Sequence, residues 1–358
     1  MYIKYLLLFI PFFSNAQMND NYNLYFDLIN KAEKSYFLDK NVDSAYYYFN
    51  KAFKTYDFVF VKDCMEAAQI AIIHKSDKYV FEYLKKAFEN GFKISKLYDI
   101  GNLAGDNSPF DEIDSTLTLY ANLKNAYPKA RAKFLKRINM NVLNIITKVA
   151  AIDRAFKNNP YPYFKNSLFE KNFKVIDSLL NQGLYPSEKI VGVDQVNIFK
   201  ETGKNYFDLN DWYFILKDKS GAKTYQSLFD LDETEFLSRL AYVPLYHCDS
   251  AYVYLKKHAK MLISKGLMHP RELATLHDLY LSKFYIRAYE RGKKNSPFGK
   301  DISEGNNILF FDISQEYRTR VNELRASYHI NTVETDSAKS AFEKKHKTIL
   351  FTTFIMNR

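Results

Sequence analysis

One short stretch of the chain holds the residue types that nucleophilic catalysis needs. His247, Cys248 and Asp249 are consecutive, and a thiol, an imidazole and a carboxylate are the parts of an activated nucleophile. Neighbouring side chains of an extended segment point to opposite sides, so His247 and Cys248 cannot easily face each other. Asp249 and Ser250 open a helical pattern, where they serve as capping residues. The pattern favours His247 as a buried polar anchor, bonded to a carbonyl or to a carboxylate such as Asp278, with a ligand contact as the alternative.

The histidines do not have the spacing of a zinc site. Neither His-Glu-x-x-His nor paired Cys-x-x-Cys occurs, and His269 and His277 lie two helical turns apart, too far for one ion without further ligands. The chain also lacks a glycine-rich phosphate loop and the Gly-x-Ser-x-Gly elbow of serine hydrolases. We therefore expect no metal, no cofactor and no catalytic residue that spacing alone identifies.

The first 16 residues have the pattern of a secretory signal peptide. Lys4 precedes a short apolar run, residues 5–13, and Ser14-Asn15-Ala16 supplies small residues for cleavage. The run is far shorter than the roughly 20 residues that span a bilayer. No cysteine follows the cleavage point to take a lipid anchor. We expect an exported protein, soluble after cleavage and either periplasmic or extracellular, with no transmembrane segment.

Composition restricts the partners. The chain carries 51 Lys and Arg against 41 Asp and Glu, a net charge of +10, or +9 once Lys4 is removed with the leader. The basic residues are scattered in pairs and triplets and form no stripe, which argues against nucleic acid. An anionic glycan or lipid surface stays open as a partner. Two cysteines, Cys64 and Cys248, exclude a disulfide-rich scaffold and are expected to be buried thiols, although one long-range bridge stays open.

Helical spacing is clearest near the start of the mature chain. Ala45, Phe49 and Ala52 share one helix face, after a preceding helix with its own apolar face, and small residues at 45 and 52 allow close approach. A second pair begins 35 residues on, with Ala67-Ala68 and then Val80, Leu84 and Ala87. This spacing resembles the tetratricopeptide repeat. The resemblance implies helical hairpins over residues 17–115 that can bind a protein partner, and two hairpins must also dock on the later part of the chain.

Turn-forming residues divide the rest of the chain. The segment 101–109 is dense in glycine, asparagine and proline, which places a domain boundary near 115. Helical patterns then cover 117–157, 168–180, 249–266, 270–292 and 314–327. Residues 195–245 are ambiguous, and a small β element around 205–230 is one interpretation. Residues 336–358 are assigned to a C-terminal tail. The expected fold class is mostly all-α.

The second half resembles an uncharacterised domain family of exported bacterial proteins. The resemblance rests on the order and spacing of six segments: 151–154, 181–187, 244–249, 266–278, 298–299 and 321–325. It implies a helical domain over residues 116–335 and a candidate polar cluster of Asp153, Arg154, His247, Asp278 and Arg325. Arg154, Leu279 and Lys300 stand where the family usually has Gln, Arg and Thr. These departures argue against an intact active site.

The sequence thus favours an exported, non-catalytic helical protein that binds a protein partner or a ligand. The alternative is a hydrolase-type enzyme whose site is assembled from His247, Asp278, Asp153 and Arg154. The two hypotheses differ in geometry, because an enzyme requires these side chains to converge in one accessible cleft.

Overall fold

The structure is a computed structural model, and it confirms the mostly helical fold class. It describes the following residues: 21–97, 117–157, 162–193, 195–203, 213–217, 223–227, 245, 251–278, 280, 315–346 and 350. The expected domain boundary near 115, His247, Cys248 and the leader lie outside these residues. No helix in the described ranges is both long enough and apolar enough to cross a membrane.

The first four helices form two consecutive antiparallel hairpins. Their bounds are α1 (Tyr22–Phe37), α2 (Val42–Thr55), α3 (Val61–Ile73) and α4 (Asp77–Glu89), with α1 packed on α2 and α3 on α4. The side chains of Asn21 and Asn41 accept hydrogen bonds from backbone N–H groups in the first turns of α1 and α2. These caps satisfy donors that have no partner inside the helix.

The helix faces predicted from the sequence are the buried faces. Ala45, Phe49 and Ala52 on α2 are completely or almost completely buried, as are the alanines and leucine singled out on α3 and α4. Alanine at these positions lets the paired helices approach closely, so the aromatic rings fill the space between hairpins. α3 is buried on nearly all sides, because helices from later in the chain cover it.

The described residues from 117 to 203 form five helices. They are α5 (Leu117–Arg137), α6 (Met140–Lys157), α7 (Pro162–Asn181), the short α8 (Glu188–Val191) and α9 (Gln195–Thr202). The sequence predicted continuous helix over 117–157, but the chain breaks after Arg137, where the Asn139 side chain accepts from the N–H of Val142 and begins a new helix. The predicted end at Gly183 is correct, with φ +72° in the left-handed region.

Phe134 on α5 joins the first hairpins to the later helices. Its ring lies against two glycines, Gly91 after α4 and Gly192 after α8, and a Cβ at either position would come within 2.6 Å of that ring. Both glycines also have positive φ, +116° and +75°. The backbone therefore approaches the ring at two points where only glycine fits.

A two-stranded antiparallel hairpin lies within the segment that the sequence left open. It consists of β1 (Tyr213–Lys217) and β2 (Lys223–Ser227), with Ile215 opposite Tyr225. Two further helices come next, α10 (Ala251–Ser264) and α11 (residues 270–278). Gly266 ends α10 with φ +63°, as predicted, and the connection to α11 is short.

Near the C-terminus, residues 315–346 contain two helices, α12 (Gln315–Ala326) and α13 (Val333–His346). The sequence predicted α12 but assigned residues from 336 onward to a tail, whereas the structure has helix through His346. α13 packs on α1 and on α12. One continuous apolar core contains residues from Tyr22 to Leu350, so the helical hairpins dock on the later helices as expected.

Candidate functional site

The five residues of the candidate polar cluster lie in different surroundings. Asp153 and Arg154 are on α6, and the Asp153 side chain is fully buried. Asp278 is the last residue of α11, and Arg325, on α12, is fully buried. The side chain of Arg154 and all of His247 lie outside the described part of the chain.

Of these five, Asp278 and Arg325 come within electrostatic reach of each other. Burial lowers the pKa of Arg325, and the charges of Asp336 and Asp278 partly offset this. Arg325 donates to the backbone oxygen of Asn331 at 3.0 Å and to Asp336 at 2.9 Å. Asp278 Oδ1 lies 2.8 Å from Nδ1 of His277, within hydrogen-bond distance. The sequence identified Arg325 but missed its ion-pair partner, Asp336.

Arg325 belongs to a larger set of buried charges, which we call the buried ionic cluster. It lies where α1, α3, α11, α12 and α13 meet, and its members are mostly hidden from solvent. They are four cations and four acidic groups: Lys62, Arg271, Arg325 and Lys339 with Glu33, Asp63, Glu66 and Asp336. Equal numbers of opposite charges limit the cost of removing them from water.

Asp63 organises the α3 side of this cluster. It accepts from the hydroxyl of Tyr25 at 2.7 Å and from Lys62 at 2.9 Å, and Nε2 of His269 lies 3.5 Å away. Burial alone would raise the pKa of Asp63, but Lys62, His269 and Tyr25 outweigh it and hold that pKa well below its ordinary range. Asp63 is therefore a carboxylate throughout the physiological range.

His269 is neutral in this setting. Burial lowers its pKa to about 4 in spite of the favourable charge of Asp63. Its Nδ1 accepts from the backbone N–H of Arg271 at 3.1 Å, so the single ring proton lies on Nε2, on the side of Asp63. The ring packs edge-on against Phe26 and Phe60. His269 is thus a satisfied core histidine.

Lys339 joins two carboxyl groups on different helices. Its ammonium lies 2.8 Å from Glu33 on α1 and 2.6 Å from Glu66 on α3. Burial raises the pKa of Glu66 to about 7, the charge of Glu33 adds to this, and Lys339 and Lys62 oppose it. Asn331 also donates to Glu33. A single lysine from α13 therefore bridges the two hairpins.

The buried ionic cluster holds helices together and offers no open site. Lys62, Glu66, Lys339 and Arg325 have side-chain exposures of 3% or less, so a substrate cannot reach them in this conformation. Among the residues that the structure describes, no three His, Cys, Asp or Glu side chains are arranged to hold a metal ion. Cys64 is likewise closed to substrates: it is a buried free thiol, and burial raises its pKa.

An open groove lies elsewhere, between α2, α4 and α5. It has a volume of about 590 Å³, and its lining includes the aromatic rings of Phe53, Phe81 and Tyr83, which we call its floor, whereas the charged lining residues are called its edges. The lining also includes charged residues of both signs: Lys54, Lys78, Lys85, Lys86, Asp77, Glu82 and Glu89. The sequence analysis did not predict this groove, because its lining residues come from three different helices.

Two of the charged groups in the groove already have partners. Lys86 donates to the backbone oxygen of Tyr56 at 3.0 Å, and Glu89 pairs with Lys133 at 2.9 Å. The charged residues then left along the groove are three lysines and two carboxylates. An apolar floor between charged edges of mixed sign is the arrangement that binding surfaces for proteins commonly have.

Comparison with known proteins gives no relative for this chain: no family model, no curated protein and no solved structure matches it. The described residues form a mostly helical body with one small β-hairpin, and consecutive helices pack as antiparallel hairpins.

Proposed function

We propose that this is an exported, non-catalytic protein that binds a segment of a protein partner in the groove between α2, α4 and α5. The observation that carries the proposal is the combination of a 590 Å³ opening, an aromatic floor and edges of both charge signs. Aromatic rings supply most of the binding energy in such sites, and charged edges set orientation.

The edges favour a peptide over an anionic glycan or lipid surface. Asp77 and Glu82 lie along the same groove as Lys54, Lys78 and Lys85, and they would repel a polyanion. A peptide with an apolar anchor and residues of both charge signs can pair with both the lysines and the carboxylates of the groove. Export is part of the proposal through the leader pattern of residues 1–16.

The helical hairpins support a repeat-like origin for this surface. We propose that α1–α4 are two tetratricopeptide-like repeats and that residues 116–335 belong to the uncharacterised exported family. The matching offsets, 35 residues apart, fall on buried faces in both hairpins. Repeats of this kind use their surfaces for binding partners.

The enzyme alternative has weaker support. Asp153, one of its four residues, has no accessible surface, and Asp278 is bonded to His277. General acid or base catalysis needs a side chain within hydrogen-bond reach of the substrate. Turnover of any substrate in a hydrolase panel, lost in the Asp278→Asn variant, would replace the binding proposal with the enzyme one.

Selection of short random peptides displayed on phage against the purified mature chain tests the binding proposal. We expect enriched peptides with an aromatic anchor flanked by charges. Their affinity should fall about tenfold with Phe81→Ala, which removes part of the floor, and about three- to tenfold with Lys85→Glu at the edge. Lys171→Glu, an equal charge change at an exposed position of α7, is the matched control and should leave affinity unchanged.

Two results would contradict the proposal. One is a selection that enriches no peptide above background on folded protein. The other is a set of peptides whose affinity responds to Lys171→Glu as much as to the two groove variants, since binding would then occur elsewhere or depend only on net charge.

A further inference from the structure

The contact of α13 with the two hairpins depends on charge to an unusual degree. α13 and α12 bury Asp336, Lys339 and Arg325. Of the apolar side chains of α13, Ala338 and Phe342 pack against the main core, and Val333 packs with Val321 of α12 in a small separate cluster. Phe342 packs edge-on against Phe37 and Tyr36 of α1. We call residues 315–346 the C-terminal latch.

The latch contacts α1 along its length through polar groups. Near its middle, Asn30 donates to the backbone oxygen of His329 at 2.8 Å, and Nδ1 of His329 lies 2.8 Å from Asp27. Further along, Lys339 reaches Glu33 and, across the gap between hairpins, Glu66. The latch is therefore the element that covers the inner sides of α1 and α3.

We propose that the C-terminal latch is a pH-sensitive cover, closed over α1 and α3 in mildly acidic solution and loosened as the pH rises toward neutrality. The geometry that carries this proposal is a pair of acidic side chains, Glu33 and Glu66, that share one lysine of the latch in a site closed to water. When both are ionised, two buried negative charges share Lys339, and the next cation, Lys62, lies 3.9 Å from Glu66.

The charged groups that act on Glu66 include Glu33 of α1, Lys62 of α3, Arg271 of α11 and Lys339 of α13. The other charged members of the buried ionic cluster, Asp63, Arg325 and Asp336, pair with these groups or with each other, and His269, which precedes α11, is neutral. Asp63 is committed to Lys62, and Asp336 to the two arginines, Arg271 and Arg325. Lys339 is therefore the closest cation for both glutamates.

The sign of the pH effect is set by Glu66. Its pKa is about 7 with the latch closed, and its ordinary value of 4.5 returns when opening admits water. A raised pKa stabilises the closed state fully below 4.5, and this stabilisation is lost as the pH rises to 7. Across that window the opening equilibrium grows about tenfold per pH unit, about 300-fold in total, and then levels off.

Hydrogen exchange of the full mature chain, measured by mass spectrometry from about pH 5 to about pH 8 and corrected for intrinsic rates, tests the latch. We expect protection of α13 amides to fall by up to about 70-fold between pH 5 and pH 8, while α2 amides keep theirs. Glu66→Gln carries no titratable group and should flatten the pH dependence of α13. Glu323→Gln, at an exposed position of α12, is the matched control and should keep it.

Three outcomes would overturn the proposal: α13 protection that does not change with pH, a Glu66→Gln variant with the wild-type slope, or equal loss of protection in α2 and α13, which would mean global unfolding. If Glu66→Gln does not fold, the comparison of α13 with α2 in the wild-type chain decides by itself.

Discussion

Glu188 offers the most quantitative test of the packing between the hairpins and the later helices. Val61 is the first residue of α3, and its backbone N–H has no acceptor within the helix. The carboxyl of Glu188 accepts a hydrogen bond from this N–H at 2.7 Å. Burial raises the pKa of Glu188 to about 8, and the charges of Asp63 and Glu272 add to this against the N–H of Val61 and the charge of Arg137. The carboxyl is therefore mostly protonated in the native state at neutral pH.

The substitution Glu188→Gln keeps an oxygen acceptor for Val61 and removes the titration. In the wild type, the raised pKa gives stability that is present below 4.5 and lost as the pH rises through 8. The difference of about 3.5 units corresponds to roughly 5 kcal/mol as an upper bound. We expect Glu188→Gln to match the wild type near pH 4.5, to exceed its free energy of unfolding by about 1.4 kcal/mol per pH unit between pH 4.5 and pH 8, and to show a constant difference above that.

Urea unfolding followed by circular dichroism from about pH 5 to about pH 9 measures this difference directly. Glu170→Gln, which neutralises an exposed carboxyl on α7, is the matched control and should show a difference from wild type that stays nearly constant with pH. A Glu188→Gln difference that is equally constant would refute the argument, because it would show that Glu188 titrates normally in the native state.

Two further changes test other parts of the packing. Gly192→Ala should lower the free energy of unfolding by about 3 kcal/mol, because the new Cβ would lie 2.5 Å from Phe134 at a backbone φ of +75°. Gly183→Ala is the control: its φ is similar, +72°, but its Cβ would meet nothing within 4 Å, so the loss should be only about 1 kcal/mol. Thermal or urea unfolding measures both losses. Arg131→Met should lower the free energy of unfolding by about 1–3 kcal/mol, because Arg131 donates two hydrogen bonds to Glu201, at 2.8 and 3.1 Å. A double-mutant cycle with Glu201→Gln that gives no coupling energy would contradict this.

Periodicity was sufficient to predict the hairpins, because their buried faces are made of apolar residues at regular intervals. Ala45, Phe49 and Ala52 are an example, and the two glycines predicted to end helices, Gly183 and Gly266, have the positive φ that such ends need. These features depend on local chemistry. A helix face needs apolar residues at intervals of about 3.6, and glycine adopts the left-handed conformation at the lowest cost.

α13 and the buried ionic cluster were beyond this reasoning, because their charges resemble those of a solvated surface helix. Asp336 and Lys339 are polar in sequence, and their burial becomes intelligible only beside Arg271 and Glu33, the latter 306 residues earlier in the chain than Lys339. Arg325 was singled out from the sequence only through a suspected resemblance, and its partner Asp336 was not singled out at all. The groove was not predicted for a similar reason, because its lining comes from three helices and no single helical pattern reveals it.

The wedge of Phe134 between Gly91 and Gly192 bears on how the chain can be divided. A fragment that stops near residue 115 would keep α1–α4 yet lose the ring on which Gly91 rests, and with it the carboxyl of Glu188 that caps α3. The faces of Phe88 and Phe92 that now touch neighbours would meet water. Expression of the two amino-terminal hairpins in isolation is thus expected to yield an aggregation-prone product, and the chain is better studied by point substitutions in the intact polypeptide.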